Sequence, residues 1–197
     1  MPLPKIATPT YELELPSTGE TVQYRPFLVK EEKLLVIALE SDDTKQITTA
    51  IKTVIKNCVI TKGIKVEQLP TFDIEYLFLR IRAKSVGEVS EFKVIAPDDN
   101  ETQVEVEVNL EEVEVVVPKE HTNKIKITDE VTLVMKYPSI DTFVKNNLAD
   151  DPKLDDIFQL AADCVDQIAN GEEVENAKAY KKGELVSFFE TMNNMQF

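Results

Sequence analysis

The stretch LPTFDIEYLFLRIRAKSVG, residues 69–87, decides the fold. Pro70 and Thr71 offer a helix start, Asp73 and Glu75 fall where the positive end of a helix favours acid, and Gly87 offers a stop. The spacing therefore predicts a helix. Its apolar residues, Ile74, Tyr76, Leu77, Phe78, Leu79 and Ile81, are spread around nearly the whole circumference, and only Arg80, Arg82 and Lys84 are left for solvent. Such a helix is either central or gripped by a partner.

On the C-terminal side of Gly87 the period changes to two. Phe92/Val94, Val104/Val106/Val108, Val113/Val115/Val117, Ile125/Ile127 and Val131/Leu133/Met135 alternate with polar residues, with turn signals at Pro97-Asp98-Asp99-Asn100, at Glu111-Glu112 and from Pro118 to Asn123. The pattern predicts an antiparallel meander of four or five strands with one wet face, which Glu105 and Glu107 would occupy.

On the N-terminal side, Ile47, Ile51, Val54, Ile55 and Cys58 share one face of a predicted helix, and Lys45, Lys52 and Lys56 line the other as a solvated face. Leu34 to Leu39 is apolar enough to be buried, with helix and strand both open. Prolines 2, 4, 9 and 16, the alternation through Tyr11, Leu13 and Leu15, and the turn at Ser17-Thr18-Gly19 predict an extended start of strand, turn and strand.

After Pro138 the helical period returns. Ser139 and Asp141 open a short helix through Phe143 and Val144. A longer helix is expected from the Asp151 cap and Pro152 through Leu154, Ile157, Phe158, Ala161, Val165 and Ile168 to Gly171, and a last one around Leu185, Phe188, Phe189 and Met192. The expected fold class is thus α+β. It comprises an N-terminal extended segment plus two helices (1–87), an antiparallel β region (88–137) and a C-terminal helical region (138–197), which are also compatible with one cooperative unit.

The chain has 197 residues, 43% of them hydrophobic, enough for a genuine core. No apolar run approaches the roughly 18 to 20 residues that a membrane span needs, and the start MPLPKIATP lacks the apolar stretch of a signal peptide. We expect a soluble, intracellular protein with no membrane partner. The net charge is −14, divided as +1 over residues 1–86, −9 over 87–135 and −6 over 136–197. That balance repels phosphate backbones, so no nucleic-acid partner is expected. It keeps a protein in solution and also favours encounter with a basic protein.

Nothing here carries a reaction. Asp42-Asp43, Asp98-Asp99, Asp150-Asp151 and Asp155-Asp156 sit at predicted turns and helix starts, where aspartate serves as a cap. His121, the single histidine, lies in a loop with no second histidine or thiol nearby. Cys58 and Cys164 read as reduced core thiols, and the five glycines form no phosphate-binding loop. We therefore expect no catalytic residue, cofactor, metal or small-molecule substrate. Packing material does stand out, and aromatics and arginine are the usual interface anchors. The candidate partner-binding residues are Arg25, Pro26 and Phe27, then Tyr76, Phe78 and Arg80, and finally Phe188 and Phe189.

Two runs carry a family likeness. Residues 11–41, YELELPSTGETVQYRPFLVKEEKLLVIALES, and 71–89, TFDIEYLFLRIRAKSVGEV, resemble the small baseplate hub assembly proteins of T4-type contractile-tailed bacteriophages. VMKYPSIDTF and ELVSFFETM, farther along, are similar too. The resemblance implies a non-enzymatic role in building the central hub of a tail baseplate, as an assembly chaperone or a retained hub component. Its partners would be other hub or tail proteins, in the host cytoplasm during assembly or in the virion tail. Some relatives are associated with a cysteine pair after the SVGE segment, a small zinc knuckle; here the turn reads APDDNET, and no metal is carried over. The resemblance also leads us to expect a terminal helix that continues past Phe197. Two readings from other classes are a divalent-metal carboxylate enzyme, motivated by the acidic surplus, and an acidic inhibitor that mimics nucleic acid.

Overall fold

The computed structural model describes residues 6–145 and 153–193. The Asp150-Asp151 pair, the expected helix start at Asp151 and Pro152, and Phe197 lie outside them. The chain divides into two compact units, one formed by Met1–Val66 with Phe72–Val116 and the other by Glu67–Thr71 with Val117–Phe197. Residues 88–116 thus lie with the first unit. Helices and antiparallel sheets are mixed throughout, so the fold is α+β.

The first unit opens with a hairpin of β1 (Tyr11–Glu14) and β2 (Thr21–Tyr24), in which Tyr11 faces Tyr24 and Glu14 faces Thr21. Alternation puts Leu13, Leu15, Val22 and Tyr24 in the core and Glu12 and Glu14 outside. The far edge of β2 is covered: Gln23 donates its N–H to the Thr61 hydroxyl at 2.8 Å and accepts the Ile60 N–H at 2.8 Å, and the Arg25 N–H reaches the Cys58 carbonyl at 2.9 Å.

The Leu34 to Leu39 run is helical. It lies in α1 (Val29–Glu40), whose entry is organised by Glu31. The Glu31 carboxylate accepts the Leu28 N–H at 2.9 Å and one arm of the Arg25 guanidinium at 3.2 Å, with no exposed surface of its own. Asp43 then caps α2 (Thr44–Cys58) by accepting the N–H groups of Lys45 and Gln46, and Val54, Ile55 and Cys58 are buried as the spacing predicts. Burial pushes the Cys58 thiol up to about 11.

α3 (Thr71–Val86) is covered on almost every side, with only Glu75 and Val86 exposed along its length. Its buried Asp73 accepts both the N–H and the hydroxyl of Ser17. The helix ends at Gly87, which takes φ +147°, a conformation that a side chain would strain. β3 (Val89–Ile95) and β4 (Gln103–Asn109) follow as a two-stranded hairpin.

In the second unit, β5 (Lys124–Lys126), β6 (Val131–Met135), β7 (Val165–Asn170) and β8 (Glu173–Asn176) form an antiparallel sheet in that order. α4 (Ile140–Lys145) and α5 (Leu154–Cys164) lie between β6 and β7 in the chain, and α6 (Lys182–Glu190) follows β8. Leu133, Ala162, Val165, Leu185 and Phe189 make its core. Lys182 and Asp163 pair at 2.6 Å across α5 and α6.

Three expectations are corrected. The single meander over 88–137 is two separate sheets, because Val113, Val115 and Val117 find no strand partner among the described residues. The helix drawn to Gly171 stops at Cys164, because Val165 to Asn170 pair instead with β6 and β8. The 138–197 region therefore contains strands as well as helices.

The two buried carboxylates of the first unit leave opposite marks on stability. Burial raises Glu31, but the Leu28 N–H, Arg25 and Lys30 outweigh it and hold the carboxyl below its ordinary 4.5. Its contribution is complete above that value and disappears as pH falls through the folded pKa. Asp73 is raised above its ordinary 3.8 by burial, against the opposing Ser17 hydrogen bonds. Its contribution is complete below 3.8 and disappears as pH rises through the folded pKa. Urea unfolding across this acidic range should show Glu31→Gln flattening the loss on acidification. Asp73→Asn, whose amide still serves Ser17, should flatten the loss on raising the pH. Glu31→Ala should cost about 3 to 5 kcal/mol, since it strands the Arg25 guanidinium.

Candidate functional site

Of the eight residues singled out from the sequence, six lie in the first unit and two, Phe188 and Phe189, in the second. Arg25 is bound into the first unit: besides Glu31, its guanidinium donates to the Pro26 carbonyl at 2.8 Å and lies 3.8 Å from the Cys58 sulfur. Pro26 is buried, and Phe27 is half-buried with its N–H donating to the Ser85 hydroxyl at 2.9 Å. Phe78 is half-buried. In the second unit Phe188 is half-buried beside Phe189, which is 5% exposed and belongs to the core.

Tyr76 and Arg80 do come together. They are one helical turn apart on α3, with the guanidinium 4.9 Å from the ring centre and donating to the Tyr76 hydroxyl at 2.9 Å. The same guanidinium donates to the carbonyls of Glu111, at 2.6 Å, and Val113, at 3.0 Å. One further turn along, Lys84 lies over the Tyr11 ring and bonds Glu88 and Glu111, which raise its pKa. This stripe forms part of an open groove of about 630 Å³, together with β1 and the 111–115 segment.

Two groups of exposed apolar side chains lie on other elements of the first unit. On α1, Val29, Leu34, Val36, Ile37 and Leu39 are open to solvent, with Ile37 at 53%. On the β3–β4 hairpin the register places Phe92 opposite Val106 and Val94 opposite Val104, and among the described residues no other strand pairs with it. Phe92, Val94 and Val104 are each at least 40% exposed. The opposite face pairs Glu91 with Glu107 and Lys93 with Glu105. Leu34 to Leu39 and the 92/94/104/106 alternation are visible in the sequence as apolar pattern. Nothing in a pattern reveals that these side chains stay exposed among the described residues.

In each of the three described carboxylate pairs one member serves local structure. Asp43 caps α2, Asp99 accepts the N–H groups of Glu101 and Thr102 in the β3–β4 turn, and Asp156 accepts the Lys153 N–H at the start of α5. The Thr102 hydroxyl and these amides hold Asp99 down to about 2. His121 bonds the Tyr137 hydroxyl at 2.6 Å with the two rings stacked. Among the described residues no group of three or more His, Cys, Asp or Glu side chains is placed to hold a metal ion, and no helix is long and apolar enough to cross a membrane.

Residues 8–197 match the family model of the T4 bacteriophage base plate protein. The chain belongs to that family. Neither a curated protein nor a solved structure matches it. A structural part in a phage tail follows from membership of this base plate family.

Arg80 is the clasp that holds the 111–113 segment. Arg80→Ala should cost about 1 kcal/mol and speed cleavage after Glu111, Glu112 and Glu114 by a glutamate-specific protease. Arg80→Lys should restore only part of the protection, because a single ammonium replaces the planar fork that bonds both carbonyls.

Proposed function

We propose that this base plate family member acts without catalysis in the central hub, binding other hub proteins as an assembly chaperone or a retained component. The observation that carries the reading is the pair of uncovered apolar faces, on α1 and on β3–β4. Isolated soluble chains rarely leave large side chains such as Ile37, Leu39, Phe92 and Val94 unscreened in clusters unless another surface covers them. The acidic surplus, concentrated after Gly87, speeds encounter with basic partners and opposes self-association.

The candidate anchors divide under this reading. In the first unit Phe27, Tyr76 and Phe78, all half-buried, and Arg80 form margins of contact, while Arg25 and Pro26 support that unit from within; in the second unit Phe188, half-buried, offers a separate contact beside Phe189 of its core. The two other classes draw less support. A carboxylate enzyme needs acids that converge, and Asp43, Asp99 and Asp156 are engaged at caps and a turn. A nucleic-acid mimic needs an unbroken acidic row, and Lys93 pairs with Glu105 in the middle of the hairpin's charged face.

Co-expression with the other hub proteins of its phage, followed by size exclusion, tests the proposal. Co-elution with a hub protein is expected, and Ile37→Asp or Phe92→Asp should weaken it while shifting monomer stability by no more than about 0.5 kcal/mol. Absence of any co-eluting hub protein, with normal hub formation when the chain is omitted, would overturn it. Mass spectrometry of purified virions separates the two roles: stoichiometric presence marks a component and absence a chaperone.

A further inference from the structure

The hairpin that opens the first unit is asymmetric. The outer edge of β2 is closed by Ile60 and Thr61 through Gln23, which faces Glu12 across the pair. Gln23 therefore directs its N–H and carbonyl away from β1, and alternation makes Glu12 direct its own away from β2. The Leu15 N–H, donating to the Glu20 carbonyl at 3.0 Å, fixes the same phase for the rest of β1, so the outward groups are those of Glu12 and Glu14. Among the described residues no backbone group pairs with them.

That open edge borders the groove of about 630 Å³ formed with the α3 stripe and the 111–115 segment. The segment across from it, Val113 to Val116, reads VEVV and has strand-like alternation, yet none of its backbone N–H groups enters a ladder among the described residues. Two strand-competent edges thus border one groove, and among the described residues neither is paired with another strand. The groove carries Glu12, Glu14, Glu111 and Glu114 against Arg80 and Lys84, and both cations are already engaged by groups of this chain.

We infer that the groove beside β1 receives an extended basic strand from another protein, which pairs with the outward groups of Glu12 and Glu14 and extends the β1–β2 sheet. Alternate lysine or arginine side chains would meet Glu12, Glu14 and Glu114, and the intervening apolar ones would meet the tyrosines on α3 and β1. A second copy is disfavoured as the occupant, because each chain brings a charge of −14. The inference deepens the base plate reading, on which only the identity of the strand's donor rests.

The test uses the full chain and a labelled octapeptide that alternates lysine and valine, followed by fluorescence anisotropy near physiological salt and by amide hydrogen exchange. Saturable binding with slowed exchange at Glu12 and Glu14 is expected. A glutamate/valine octapeptide should bind about tenfold or more weakly. Glu14→Pro removes an outward donor that β2 does not use, and it should weaken binding similarly, as should the charge variant E12K/E14K, which leaves the backbone edge unchanged. Lack of saturable binding, equal binding of the acidic peptide, or unaltered exchange at Glu12 and Glu14 would overturn the site. Self-association that Glu14→Pro abolishes would do so too, by assigning the edge to a second copy. Peptide binding without hub co-elution would keep the site and overturn the hub reading, whereas co-elution that survives a failed peptide test would do the reverse.

Discussion

Much of the first unit depends on one carboxylate removed from water. Glu31 closes the entry to α1 through the Leu28 N–H and neutralises Arg25, whose backbone and side chain in turn reach Cys58 at the end of α2. The end of β2, the start of α1 and the end of α2 are thereby fixed by a single charge. A buried pair of this kind is a weak source of net stability, because both ions give up hydration, but removing either partner leaves an uncompensated charge. Its effect is to tie the three segments to one arrangement.

That arrangement distributes apolar surface unevenly. α3 is covered along nearly its whole length, while α1 and the β3–β4 hairpin keep greasy faces in the solvent. A bare hairpin invites edge-to-edge pairing with copies of itself. The acidic surplus of the whole chain works against that outcome, since identical chains each carry a charge of −14 and repel one another. The surface can remain open without being promiscuous toward itself.

Elements governed by local chemistry were legible in the sequence. α2 and α3 follow from helical spacing between Asp43 and Cys58 and between Pro70 and Gly87, and the β3–β4 hairpin follows from period two around an Asp-Asp-Asn turn. What failed depends on long-range pairing. Val165 and Ile168 are equally compatible with a helix face and with a strand, and the presence of β6 as a partner decides for the strand. Val113 to Val117 has strand chemistry but no strand partner among the described residues, so its alternation does not become a strand. The candidate site was legible as residue types only. The sequence offers Tyr76 and Arg80 as interface candidates and is silent on the Arg80 clasp on the Glu111 and Val113 carbonyls, because backbone acceptors leave no trace in a sequence. The free edge of β1 was invisible for a similar reason: the β2 edge is closed by Ile60 and Thr61, far along the chain, and no pattern announces which edge stays open.

The two cysteines have a practical consequence. One is buried in each unit, and burial raises both thiols, Cys58 to about 11, so that at neutral pH each is overwhelmingly the unreactive protonated form. Sulfur chemistry in this molecule is therefore gated by exposure. The native chain carries two silent internal clocks, and the rate at which each sulfhydryl captures an alkylating reagent counts the openings of its own half.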